Sequence, residues 1–80
     1  MKKSIYTKQQ QVLTTLLRDL RVEAGLTQED LAKLIGKDQT FVSKYESGGR
    51  RLDVLELREI CQVLGIGLDK FIRQLEKALS

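Results

Sequence analysis

Apolar residues recur at helical spacing in five stretches of this chain, each closed by glycine or a polar break. Leu13, Leu16, Leu17, Leu20 and Ala24 fall at i, i+3, i+4, i+7 and i+11, one stripe along a helix that ends near Gly25. Thr27 offers a capping oxygen, with Asp30 three residues on in place of the usual Glu or Gln of a capping box. Leu31, Ala32, Leu34 and Ile35 then predict a second helix of about two turns that runs to Gly36. Only Gly36 and Lys37 separate it from Asp38, which can cap a third helix carrying Phe41, Val42 and Tyr45 and stopping at Ser47, Gly48 and Gly49. Leu52, Leu57, Ile60, Cys61 and Leu64 mark a fourth helix that starts near Asp53 and ends at Gly65. Leu68, Phe71, Ile72, Leu75 and Leu79 mark a fifth, with Asp69 near its start. No stretch alternates apolar and polar residues long enough for a strand. The pattern predicts an all-α fold of five helices in one domain over residues 7–80, preceded by a flexible basic arm over residues 1–6.

Composition narrows the chemistry. Eighty residues support one small core, which buries about 60% of the surface the unfolded chain exposes. Histidine is absent and Cys61 is the only cysteine, so a His-containing zinc site, a Cys/His nucleophilic pair and an internal disulfide are all excluded by counting. No cofactor is expected. Cys61 lies on the inner stripe of its helix and reads as a small core residue. The carboxylates are scattered over helix caps and outer faces, which pairs no base with a nucleophile; an enzyme is not expected. No run of about 18 apolar residues occurs, and MKKSIYTKQQQ places no apolar segment behind its basic residues. The expected location is the cytoplasm. The fifth helix balances Lys70, Arg73 and Lys77 against Asp69 and Glu76, a poor match to a membrane surface.

Net charge is +3, and its distribution matters more than its sum. Residues 1–26 carry five Lys/Arg against two acids, residues 27–51 five against four, and residues 52–80 four against five. The positive excess lies in the first two thirds, which makes a polyanion a candidate partner.

The stretch from Gln28 to Ser47 concentrates the information. Two helices joined by so tight a break must cross steeply, and Ala32 and Gly36 supply the small residues this needs: Ala32 lets the helices approach, and Gly36 accepts positive φ. Leu31, Ile35, Val42 and Tyr45 then point inward. The outward face of the third helix is left with Gln39, Thr40, Ser43 and Lys44. Glutamine can bond adenine N7 and N6 together, Ser and Thr can donate or accept, and Lys can reach guanine O6/N7 or a phosphate.

From about Leu13 to Phe71 the sequence resembles the helix-turn-helix domains of the Xre type, also called lambda-repressor-like or Cro-like. The resemblance is strongest over LRVEAGLTQEDLAKLIGKDQTFVSKYESGGRRL. It implies a compact five-helix lambda-repressor-like domain in which helices 2 and 3, about 27–47, form the helix-turn-helix and the third helix enters the major groove. It further implies that Gln39, Thr40 and Lys44 face base edges, with Ser43 near a base or phosphate. Thr27, Gln28 and Phe41 would lie along the phosphate backbone, and Arg50 and Arg51 would reach phosphates from the following loop. Phe41 also fits the core by its spacing, so both placements stay open. Lys37 stands where the family usually has an apolar residue, so it either snorkels or adds a phosphate contact; Asp38 is expected as a helix cap. The resemblance also pairs Arg21 with Glu46 and suggests dimerisation through the helix at about 68–79. Lys2, Lys3 and Lys8 either follow DNA or form a solvated tail. The function implied is a sequence-specific double-stranded DNA-binding transcriptional regulator, a repressor, bound as a homodimer to a near-palindromic operator. The competing reading is a protein-binding adaptor or antitoxin-like subunit with a protein partner.

Overall fold

Side-chain oxygens set where three of the helices begin. In the computed structural model, which describes residues 2–80 and their side chains from Lys8 onward, the elements run α1 (Lys2–Glu23), α2 (Gln28–Leu34), α3 (Gln39–Ser47), α4 (Val54–Val63) and α5 (Leu68–Leu79). Ahead of α2, the Thr27 hydroxyl accepts the Asp30 N–H and the Asp30 carboxylate accepts the Thr27 N–H, both at 3.0 Å, a complete capping box. Asp38 accepts the Phe41 N–H at the start of α3. Asp53 and Glu56 form a second capping box on α4, at 2.8 and 3.0 Å. Gly67 precedes α5 without a side-chain cap. The arm expected over residues 1–6 falls where the backbone is helical from Lys2, and the side chains of residues 1–7 lie outside the described ones.

The turn between α2 and α3 depends on Gly36. Its φ of +71° lets the chain reverse while the Lys37 N–H donates to the Ala32 carbonyl at 2.8 Å, closing the end of α2. A side chain here would be strained by that φ alone, since nothing lies near enough to clash with an added Cβ.

One core gathers all five helices. Leu17 from α1, Leu31 and Ala32 from α2, Val42 and Tyr45 from α3, Leu57, Ile60 and Cys61 from α4, and Phe71 from α5 are buried together. α2 packs on α3, α1 spans α3 and α5, and α4 packs on α5. Ala32 is buried where α2 meets its neighbours, as its size requires. The stripe on α2 is narrower than its apolar residues suggest: Leu31 is sealed, whereas Leu34 is 59% exposed. Ala24 likewise lies outside, past the last turn of α1. α5 buries Phe71 and half-buries Leu68 and Leu75, and leaves Ile72 and Leu79 exposed. Among the described residues no helix is long and apolar enough to cross a membrane.

These positions predict a sharp contrast. Leu17→Ala is expected to cost about 2–5 kcal/mol through the cavity it leaves, whereas Leu34→Ala stays within about 0.5 kcal/mol. Urea unfolding of the two variants measures the difference.

Candidate nucleic-acid interface

α3 is nine residues long, too short to hold its direction alone; besides the packing of Val42 and Tyr45 it is tied to α1 by an ion pair near its C-terminal end. Arg21, in the last turn of α1, grips Glu46 with both arms of its guanidinium: Nε to Oε2 at 2.7 Å and Nη2 to Oε1 at 3.0 Å. Its remaining nitrogen, Nη1, donates to the Leu26 carbonyl at 2.8 Å. The side chains are only 11% and 5% exposed, so the pair is shielded and planar contact counts. Those hydrogen bonds raise the Arg21 pKa further above its ordinary value.

Gln28 extends the chain of contacts. Its Nε2 donates to Glu46 Oε1 at 3.0 Å, and its Oε1 accepts from Gln39 Nε2 at 3.5 Å. The amide expected along a phosphate backbone is thus turned inward, because a carboxylate on α3 offers it a fixed acceptor. α1, α2 and α3 are joined through one polar line that ends at Gln39.

Beyond that line the outer face of α3 is open. Gln39, Thr40 and Lys44 are exposed, and Ser43 is half-buried with its hydroxyl donating to the Thr40 carbonyl at 3.3 Å. Val42 and Tyr45 point into the core from the opposite side. The four side chains expected to read base edges therefore share one projecting face. Thr27 is exposed; its N–H donates and its hydroxyl oxygen accepts in the capping box, which leaves the hydroxyl proton to donate elsewhere.

A second cluster brackets Phe41. Its half-buried ring meets Tyr45 edge-on, with centroids 5.7 Å apart, so it belongs to the core margin. Its outer side is approached by cations: Lys37 Nζ lies 5.6 Å and the Arg50 guanidinium 4.7 Å from the ring centre. Arg50, expected on phosphates, is instead clasped by Glu56 at 2.9 and 2.8 Å and also donates to the Arg51 carbonyl. The reason is local: the α4 capping box turns Glu56 back toward the loop that carries Arg50. Arg51 is exposed and has no ion-pair partner among the described residues. The Arg50 guanidinium, followed by the Asp53 N–H, pulls the Glu56 carboxyl down to about 2. Neither the Arg50–Glu56 clasp nor the Gln28–Glu46 contact was foreseen from sequence; the Asp53-x-x-Glu56 spacing was the one available signal. Cys61 is fully buried, and burial pushes its thiol up to about 11, which leaves it inert.

Two helices crossing over a glycine turn, the second with a sealed inner face and an open polar outer one, define a helix-turn-helix domain. A family model described as helix-turn-helix matches residues 17–71, and the chain belongs to that family, among its Xre-type members. Among solved structures, an XRE-family-like protein from Pseudomonas syringae pv. tomato is 39% identical, with 95% of this chain and 93% of that chain covered and a TM-score of 0.86. The restriction-modification controller protein C.Esp1396I, solved as a tetramer in complex with its natural 35-base-pair operator, is 30% identical with a TM-score of 0.80, covering 89% of this chain and 93% of that one. The control protein C.MunI from Mycoplasma sp. is 37% identical over 62 residues, 76% of this chain and 84% of that protein. A glutamine–fructose-6-phosphate aminotransferase of Methanocaldococcus jannaschii is 31% identical over 68 residues, and there the chain spans only 6% of the relative's length.

Two outcomes follow from the paired charges. Arg21→Ala strands the Glu46 carboxylate and is expected to cost on the order of 3–5 kcal/mol, far more than Arg18→Ala at an exposed position; thermal melting of both variants tests this. The Glu56 pKa is depressed in the folded chain, so its contribution is complete above the ordinary value of 4.5 and is lost as pH falls toward about 2. Glu56→Gln should therefore melt below the wild type at pH 6, with the gap closing on acidification.

Proposed function

We propose that the chain is a sequence-specific double-stranded DNA-binding transcriptional regulator that reads the major groove with α3 and represses by occluding polymerase. The observation that carries this reading is the exposed face of Gln39, Thr40, Ser43 and Lys44 on a helix whose other side is sealed into the core. Gln39 spends one N–H on Gln28 and keeps a second N–H and its carbonyl, a donor and acceptor pair suited to adenine N7 and N6. Lys44 and Thr40 take neighbouring base edges. Arg51, Lys37 and Thr27, with the rim of Phe41, lie along the flanking phosphates, and such contacts position the reading helix without selecting sequence. Arg50 acts mainly as a brace for the loop that presents Arg51.

Ile72 and Leu79, one stripe on α5 with half-buried Leu75, leave an apolar surface to be covered by a second copy. A homodimer would set two reading helices about 34 Å apart and favour a near-palindromic operator. That C.Esp1396I binds its operator as a tetramer supports DNA binding by more than one copy. The chain acts by binding and not by turnover, in the cytoplasm; the aminotransferase's activity is not carried over from a match to 6% of its length.

Selection from a random duplex library at defined salt tests this directly. The wild type is expected to enrich a motif with two-fold symmetry. Gln39→Ala should relax preference at one position per half-site, worth about 1–3 kcal/mol, while Arg51→Ala weakens all sequences alike and lowers the salt slope by about one. Failure to enrich any motif, or an unchanged preference profile in Gln39→Ala, contradicts the assignment.

A further inference from the structure

Ser47 continues the reading face of α3. Thr40, Ser43, Lys44 and Ser47 fall at i, i+3, i+4 and i+7, so a duplex engaged by Thr40 and Lys44 passes over the C-terminal end of that stripe. At this end a cleft of about 500 Å³ opens between α3 and α1, lined by Gln10, Gln11 and Thr15 on one side and Ser47 and Arg51 on the other. We propose that this cleft seats a backbone phosphate of the operator, so that α1 takes part in DNA binding through Gln11 and Thr15; the inference rests on the DNA-reading function above.

The cleft has the chemistry of an anion site. Arg51 supplies a cation without an ion-pair partner among the described residues, Thr15 supplies a hydroxyl and Gln11 an exposed amide, while the Ser47 hydroxyl donates to the Lys44 carbonyl at 3.0 Å. Gln10 forms part of the same wall, with its Nε2 shielded and without a hydrogen-bond partner among the described residues. The carboxylate at the cleft, Glu46, does not repel an anion as a free one would, because both its oxygens are held by Arg21 and one also by Gln28. Because the same ion pair locks α3 to α1, the two walls of the cleft keep their spacing before DNA arrives, and little ordering is needed on binding. A phosphodiester brings two unesterified oxygens, enough to engage Arg51 from one wall and the glutamine and threonine donors from the other.

The test uses the full chain and the duplex it selects, with affinity followed from about 50 to 200 mM salt. Gln11 and Thr15 are exposed, so substitutions there leave folding intact, which melting curves verify. Gln11→Lys should steepen the dependence of log affinity on log salt by about 0.9, one additional phosphate's share. Thr15→Glu should weaken selected and unrelated duplexes alike by at least about tenfold, through like charge against the backbone. Ethylation of single phosphates should block the wild type at a position outside the selected motif. If the wild type selects a motif while both variants match it in affinity and salt slope, the seat is refuted and the DNA-reading function stands. If the wild type selects no duplex at all, both fall together.

Discussion

The Arg21–Glu46 pair is the constraint on which the interface depends. α3 is short, and burying Val42 and Tyr45 fixes its depth in the core but not its rotation about the line joining it to α1. A planar guanidinium meeting a carboxylate in two parallel bonds supplies the missing angular restraint, and its hold on the Leu26 carbonyl ties the same side chain to the loop before α2. Taking both charges out of water offsets much of the attraction between them. What such a pair contributes is intolerance of any other geometry, since a small rotation of α3 would separate two charges that are largely shielded from water.

That restraint passes outward as polarity. A carboxylate only accepts, so Glu46 draws the NH2 of Gln28 toward itself and leaves the Gln28 carbonyl facing away. The carbonyl in turn draws the NH2 of Gln39. An amide that could otherwise point either way therefore arrives at the surface with its donor and acceptor in a set order, which is what distinguishes one base edge from another. The structural charge inside and the exposed Gln39 amide outside are members of one hydrogen-bonded line.

The loop after α3 is held by a different and weaker device. Arg50 lies over the Phe41 ring and is clasped by Glu56, but this pair is much more open to solvent than the Arg21–Glu46 one, so it contributes less to stability. Its value is in placement. With Arg50 occupied, Arg51 is the guanidinium left facing outward beside Ser47, and the α1 side of the cleft becomes its counterpart.

Five helices, the Thr27 and Asp38 caps and the tight α2–α3 turn were legible in the sequence because each is a local affair. Thr27, Asp38 and Asp53 act on N–H groups three residues away, Gly36 answers a steric need at its own Cα, and apolar spacing reports which side of a helix meets the core. The composition of the outer face of α3 could be read for the same reason, and the resemblance placed Arg21 opposite Glu46. Tertiary structure alone decided which polar side chains remain available. Gln28 and Arg50 look like free surface groups in the chain, yet each finds a carboxylate brought to it by another helix, 18 residues away in one case and six in the other. Nor could spacing show that Leu34 stays outside, or that Gln10 is shielded without a partner among the described residues, since both depend on how far a neighbouring helix reaches. A residue's type states which bonds it can make, and only the assembled fold settles whether a partner has already taken them.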